Sequence, residues 1–207
     1  GSSPLRLMVD FINDKASYHK KHKGKKELIY RAVGTATKKV LDLTGGLLVD
    51  AFFLAQLGLQ VTAVERNPLI YRLVEDSLKR ALSGGSEIGQ LKEALERIQL
   101  VQSDSLQYLK NIKDKDYEAI YLDPMYPMKK GTALARKSMR VFRMAVGDDL
   151  DSELLLARAR QTSIPRVVVK RSIKAPPLAP GAIHSFKGTT VRFDLYAPYT
   201  TPDTTPA

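Results

Sequence analysis

The chain has 207 residues, with 33 Lys and Arg against 22 Asp and Glu, a net charge of +11, and no cysteine. That length suits one domain with its own buried core, and the missing cysteines exclude a disulfide framework, a thiolate metal site and a cysteine nucleophile. No apolar run reaches the roughly 18–20 residues that span a bilayer, no signal-peptide pattern opens the chain, and His19, His22 and His184 form no metal-ligand spacing; a cytoplasmic protein without a bound metal is expected.

In chain order, residues 1–26 form a basic arm. The body, 27–197, opens on a short helix over 27–33. A strand follows over 40–43, then a helix over 50–57 with Gly58 as its C-terminal cap. Residues 60–65 are a strand of alternating and β-branched residues. Pro68 opens a long helix at the first turn, where proline is tolerated, and Ser83-Gly84-Gly85 stops it. A helix over 87–96, a strand over 98–103, a short helix from Leu106 and a strand over 118–122 come next. Helices over 132–146 and 152–162 precede a valine-rich strand over 166–170. Segments 183–187 and 190–196 form a hairpin around Gly188, and the Thr/Pro-rich tail 198–207 is expected to be disordered. Strands alternating with helices predict an α/β, Rossmann-like fold: a mostly parallel sheet, helices on both faces, and a C-terminal antiparallel hairpin.

The basic excess is clustered. His19-Lys20-Lys21-His22-Lys23-Gly24-Lys25-Lys26 is one block, 129–143 a second with no acid, and Arg166, Lys170, Arg171 and Lys174 a third. A polyanionic partner accounts for three blocks better than a generally solvated basic surface. The candidate phosphate-binding residues are Lys20, Lys21, Lys23, Lys25, Lys26, Lys129, Lys130, Arg140 and Arg171.

Four successive strand ends each carry a polar group. Asp42-Leu43-Thr44-Gly45-Gly46 follows the first strand, and its glycines let the backbone approach a ligand at a helix N-terminus. The spacing is neither the G-x-G-x-x-G dinucleotide fingerprint nor a P-loop. Glu65 ends the second strand, 23 residues after Asp42, where an acid can hold the ribose hydroxyls of NAD or of S-adenosylmethionine (SAM), or serve the next helix as a cap. Asp104-Ser105 ends the third strand, placed to meet an adenine amine or to cap a helix. The fourth strand, Ala119-Ile120-Tyr121-Leu122, runs into Asp123-Pro124-Met125-Tyr126-Pro127. A carboxylate, a carbonyl and a ring at the rim of an open sheet suit methyl transfer to the exocyclic amine of a nucleic-acid base; a turn made rigid by two prolines is the plainer reading.

Taken together, these stretches resemble the bacterial ribosomal RNA small subunit methyltransferase J family. The likeness rests on Asp42-Leu43-Thr44-Gly45-Gly46-Leu47 with Asp50-Ala51-Phe52, Glu65-Arg66-Asn67-Pro68, Tyr121-Leu122-Asp123-Pro124-Met125-Tyr126-Pro127, Met139-Arg140-Val141-Phe142, Val167-Val168-Val169-Lys170-Arg171, Ala175-Pro176-Pro177-Leu178 and Arg192-Phe193-Asp194-Leu195-Tyr196. It implies a SAM-dependent methyltransferase fold and formation of N2-methylguanosine in 16S rRNA, presented either as naked small-subunit rRNA or in the assembled small ribosomal subunit. By the same resemblance, SAM contacts fall on Val49-Asp50, Glu65-Arg66, Asp104-Ser105 and Asp123, in addition to the Asp42, Gly45 and Gly46 loop. Asp50 would lie at the methionine end, Glu65 on the ribose and Arg66 along the adenosine. Asp123 and Pro124 would accept hydrogen bonds from the guanine amine, with Tyr126 stacked on the base.

The sequence departs from that family in three places. The family's Gly-Leu-Gly-Arg-Asp loop here reads Gly46-Leu47-Leu48-Val49-Asp50, so Leu48 is expected to crowd the cofactor or to resist a positive φ. Asp104 stands where serine is common, and family members carry a longer N-terminal subdomain. Two other readings stay open: a methyltransferase acting on adenine N6, and a non-catalytic RNA-binding or ribosome-assembly factor with a degenerate SAM pocket. A dehydrogenase fits poorly, because of the glycine spacing and the closing hairpin.

Overall fold

The computed structural model describes residues 23–83, 89–124 and 151–199. Chain order within them is α1 (Lys23–Val33), β1 (Lys39–Asp42), α2 (Val49–Gln56), β2 (Gln60–Glu65), α3 (Pro68–Ser83), α4 (Gly89–Glu96), β3 (Ile98–Gln102), α5 (Ser105–Asn111), β4 (Ala119–Leu122), α6 (Ser152–Ala159), β5 (Val167–Ser172), β6 (His184–Lys187) and β7 (Val191–Tyr196). The expected helix over 132–146 lies outside the described residues, as do Lys20, Lys21, Tyr126, Lys129, Lys130 and Arg140.

Seven strands form one sheet in the order β3-β2-β1-β4-β5-β7-β6. The β1–β2, β1–β4, β2–β3 and β4–β5 pairs are parallel, and β7 runs antiparallel to β5 and β6. The parallel sheet with a closing hairpin is therefore present. Strand alternation sorts its side chains into two cores. Val40, Ala119, Tyr121 and Val168 face one core with α1 to α4; Leu41, Ile120, Leu122, Val167 and Val169 face the other, with Leu155, Leu156 and Ala159 of α6. Both faces of β1, β2, β4 and β5 are covered, which explains their largely apolar runs, while β3 at the sheet edge is half exposed.

Local chemistry sets the element ends. Gly58, at φ 93, follows α2 and needs the left-handed conformation that glycine adopts without strain. Asn67 Oδ1 accepts from the N–H groups of Leu69 and Ile70 at 2.9 and 3.3 Å, satisfying free donors at the start of α3. Asp104 caps α5 by accepting from Gln107 N–H at 3.0 Å.

Several expectations need correction. Helix α1 begins at Lys23 rather than at 27, so the end of the first basic block belongs to the helix and not to an arm. Pro198 and Tyr199 are part of the folded body: Tyr199 N–H donates to Arg160 O at 2.7 Å, and the Arg160 guanidinium lies 4.1 Å from the Tyr199 ring centroid. The third basic block is mostly consumed inside the fold. Arg171 is 3% exposed, and its Nε and Nη2 donate to Pro176 O at 3.1 and 3.0 Å, so it is not presented to a phosphate. Arg166 donates to Ala32 O at the end of α1, and Lys170 pairs with carboxylates. Lys174 is exposed. Composition reveals a charge and not the direction in which its side chain points.

Candidate active site

The parallel strands β3, β2, β1 and β4 end along one edge of the sheet, and a cleft with a cavity volume of about 170 Å3 opens there. Its wall contains all of the residues expected to hold a cofactor: Asp42, Gly45, Gly46, Val49, Asp50, Glu65, Arg66, Asp104, Ser105 and Asp123. Pro124, expected to touch the base, lines it too; Tyr126 lies outside the described residues. Four residues not assigned from the sequence also line the cleft and carry polar groups: Thr44, Tyr121, Asp151 and Ser152.

The loop after β1 forms the floor. Gly45 N–H donates to Val64 O at 2.9 Å, and a Cβ at Gly45 would lie 3.1 Å from that same oxygen, so a side chain there would push the loop off β2 by a few tenths of an ångström. Gly46 has φ 51, and its N–H donates to Glu65 Oε2 at 2.8 Å. The other Glu65 oxygen accepts from Asn67 N–H at 2.6 Å. Glu65 thus joins two loops while its carboxylate still faces the cleft.

Leu48 sits at φ 59 and ψ 23, immediately before α2. Leu48 thus adopts the positive φ that a leucine disfavours, and burial compensates the strain. The left-handed backbone costs about 1–2 kcal/mol. Full burial of the side chain, with 0% exposure in the core under α1 to α4, contributes about 1.5–3 kcal/mol and offsets it. The expected crowding is absent: Leu47 and Val49 line the cleft, while Leu48 points into the core.

Charge at this edge is arranged around three carboxylates on one face of the sheet. Asp42, at 2% exposure, accepts from Thr44 N–H at 2.9 Å and from the Thr44 hydroxyl at 3.2 Å. The same hydroxyl oxygen accepts from Asp123 N–H at 2.7 Å, tying the end of β1 to the end of β4. Burial pushes the Asp42 carboxyl up to about 7; the two Thr44 hydrogen bonds oppose this and the charges of Asp50 and Asp123 add to it. Asp50, in the first turn of α2, accepts from the Tyr121 hydroxyl at 2.7 Å and from Lys170 Nζ at 2.5 Å. Burial would raise Asp50, but the Lys170 charge and these donors win and hold it below the usual carboxylate range. Lys170 Nζ also donates to Asp123 Oδ2 at 2.8 Å. Desolvation in the cleft raises Asp123, the neighbouring Asp50 adds to that, and Lys170 pulls against both.

Lys170 was read from the sequence as part of a basic surface. A lysine continuing the strand Val167-Val168-Val169, in the inward phase of Val168, was the signal of its true place. The register pairs Leu122 with Val169, so the next step sets Asp123 beside Lys170. Asp151, at the start of α6, pairs with Arg66 at 2.9 Å across the mouth of the cleft. Nothing near Asp151 in the sequence marked it.

Asp104 and Ser105 come to the cleft with part of their capacity already engaged. Asp104 Oδ1 caps α5, and the Ser105 hydroxyl donates to Leu43 O at 2.6 Å. In all, six carboxylates (Asp42, Asp50, Glu65, Asp104, Asp123 and Asp151) and one guanidinium line the cleft of a chain with net charge +11. Such a site favours a cationic ligand.

Residues 2–198 match the family model described as "Putative SAM-dependent methyltransferase". Ribosomal RNA small subunit methyltransferase J of Bdellovibrio bacteriovorus is 42% identical over 194 residues, covering 92% of this chain and 73% of that protein. The Klebsiella pneumoniae protein of the same name is 42% identical over 199 residues, covering 92% and 77%. A crystal structure of a SAM-dependent methyltransferase from Neisseria gonorrhoeae is 33% identical and superposes with a TM-score of 0.76, over all of this chain and 80% of that one. The chain belongs to the SAM-dependent methyltransferase family whose relatives carry the name ribosomal RNA small subunit methyltransferase J.

Proposed function

We propose that the chain transfers a methyl group from SAM to the N2 amine of a guanine in small-subunit ribosomal RNA, in the cytoplasm. The observation that carries this reading is Asp123-Pro124 at the rim of the acidic cleft, with the Asp123 carboxylate held in place and 41% exposed.

The residues present fit SAM. Its sulfonium and ammonium charges match the carboxylate excess, and Glu65 at the end of β2 is placed for a ribose diol. Asp50 serves the methionine end, Arg66 lies along the adenosine, and the Asp104 oxygen that does not cap α5 is available to an adenine amine. When bound, SAM supplies a methyl group whose bond to sulfur breaks as the attacking nitrogen bonds to carbon. Asp123 and the Pro124 carbonyl accept the amine N–H groups, which concentrates the lone pair on nitrogen and orients it. The proton that leaves passes to Asp123 or to water. Tyr126 stacks on the base and holds it out of its helix, as base-modifying enzymes do. Lys20, Lys21, Lys23, Lys25, Lys26, Lys129, Lys130 and Arg140 hold phosphates, which positions the RNA without reading its sequence.

Incubation with labelled SAM and either unmodified small subunits or their naked rRNA, followed by nucleoside identification, tests the reading. Label in N2-methylguanosine is expected. Label in N6-methyladenosine would replace the substrate assignment, and SAM binding without transfer to either RNA would overturn the enzymatic one. Neutralising Lys20, Lys21, Lys23, Lys25 and Lys26 together is expected to flatten the salt dependence of RNA binding by roughly 3–5 units of log–log slope. An unchanged slope would remove that block from the RNA interface.

A further inference from the structure

We propose that Lys170 is a positioning residue for methyl transfer: its ammonium, held between Asp50 and Asp123, fixes the Asp123 carboxylate so that the oxygen not bonded to Lys170 accepts from the amine to be methylated. The proposal rests on the reading of Asp123 as the amine acceptor.

The geometry is that of one cation serving two acids from different elements. Lys170 Nζ lies 2.5 Å from Asp50 Oδ2 and 2.8 Å from Asp123 Oδ2. The lysine side chain is 19% exposed and that of Asp50 12%, so water screens this contact weakly. The Tyr121 hydroxyl holds the same Asp50 oxygen, which prevents Asp50 from turning to find another partner. On its other side Lys170 is in register with Phe193 of β7, an apolar neighbour that offers the ammonium no acceptor. Among the described residues, the charged and titratable groups facing Asp123 are Lys170 from β5 and Asp50 from α2, with Asp42 and Tyr121 farther along the same face.

Without the ammonium, Asp50 and Asp123 would be like charges in a confined site, and one of them would take up a proton. A protonated Asp123 could turn its O–H toward Asp50 and cease to be a fixed acceptor. Lys170 opposes both: its charge offsets part of the raise that burial and Asp50 impose on Asp123, and by satisfying Oδ2 it holds the carboxylate in one orientation. Burial alone would lower the lysine pKa, but the two carboxylates outweigh it and raise it, so the cation persists across the working pH range.

Lys170→Met, which keeps an unbranched apolar stem without the ammonium, and Lys170→Arg, which keeps the charge, test this. Three readings are taken on each: SAM affinity by calorimetry, kcat and KM for RNA against pH, and the titration of the Asp123 carboxyl carbon by NMR in the RNA-free protein. For Lys170→Met, SAM affinity is expected to hold, since the proton taken up by the Asp50–Asp123 pair replaces the positive charge that has left the cleft. The value of kcat near pH 7 is expected to fall about 100-fold or more, within the range a proton-handling group contributes, with KM for RNA little changed. The acid limb of kcat and the Asp123 titration are both expected to move to higher pH, and Lys170→Arg is expected to restore the position of both.

A Lys170→Met enzyme with wild-type kcat and an unmoved Asp123 titration overturns the proposal. So does a loss of SAM affinity that accounts for the whole fall in activity, which would make Lys170 part of the cofactor site. If wild-type enzyme modifies no RNA amine, the underlying reading fails and takes this one with it; transfer by wild type with an unchanged Lys170→Met profile removes the role of Lys170 alone. Should Lys170→Met not fold, Lys170→Gln carries the same measurements and the same expectations.

Discussion

Two sets of carboxylates lie against this sheet, and they are compensated in opposite ways. Asp194 on β7 is 2% exposed and accepts from Arg192 Nε at 2.9 and 3.1 Å and from the Ser185 hydroxyl at 2.7 Å. The same guanidinium donates through Nη1 to the carbonyls of Ser172, Ile173 and Ala175, so both partners are satisfied by the fold itself. On the opposite face of the sheet, beyond the ends of β1 and β4, Asp42, Asp123 and Asp50 of α2 have one ammonium among them. The antiparallel half uses its charge to shape a loop. The parallel half holds an excess of negative charge that a cationic ligand completes.

The largest effect that separates the two regions is expected at Asp123. Asp123→Ala should lower methyl transfer by about 10^2–10^4-fold and leave the urea midpoint nearly unchanged; near-wild-type turnover would remove Asp123 from the chemistry. Arg192→Ala should do the converse. It strands a buried carboxylate, at a cost of about 3–5 kcal/mol in denaturant unfolding, while the protein that remains folded binds SAM normally. A small stability loss there would mean that Asp194 finds another partner.

Asp42 sharpens the comparison through pH. Its folded value of about 7 lies above the ordinary 3.8, so between those values the folded chain holds a proton that the unfolded chain has lost. Stability contributed by that proton is present at low pH and lost as pH rises toward 7, on the order of 4 kcal/mol in total. Asp42→Asn, which can still accept from Thr44, should flatten urea midpoints between pH 4 and pH 8. Curves that stay parallel to wild type would show that Asp42 is not the group titrating. The smallest effect is expected at Leu48. Leu48→Gly relieves the left-handed backbone but deletes a fully buried side chain, for a net loss of about 1–3 kcal/mol, with SAM affinity unchanged because Leu48 does not line the cleft. A tighter SAM complex in this variant would revive the view that Leu48 obstructs the pocket.

Much of the site was legible because strand ends are legible. Asp42, Glu65, Asp104 and Asp123 each close a strand legible from its apolar or alternating pattern, and in a parallel sheet all such ends fall on one edge. Basic residues were less transparent. Arg171 and Arg166 lie in a stretch that resembles a phosphate-binding patch, yet both donate to backbone carbonyls in the fold. Counting charges does not reveal which neighbour a long side chain reaches, because that neighbour comes from another part of the chain.

The sequence by itself determined the alternation of strands and helices, the acids at four strand ends and the closing hairpin, because period-two burial and turn chemistry are local properties of the chain. Tertiary structure decided which charges meet. Asp50 and Lys170 are 120 residues apart, and Thr44 and Asp123 are 79 apart. Strand order brings β1, β4 and β5 side by side, and the β4–β5 register then places an ammonium against two carboxylates. Pairing across such separations follows from sheet topology, which no local pattern encodes.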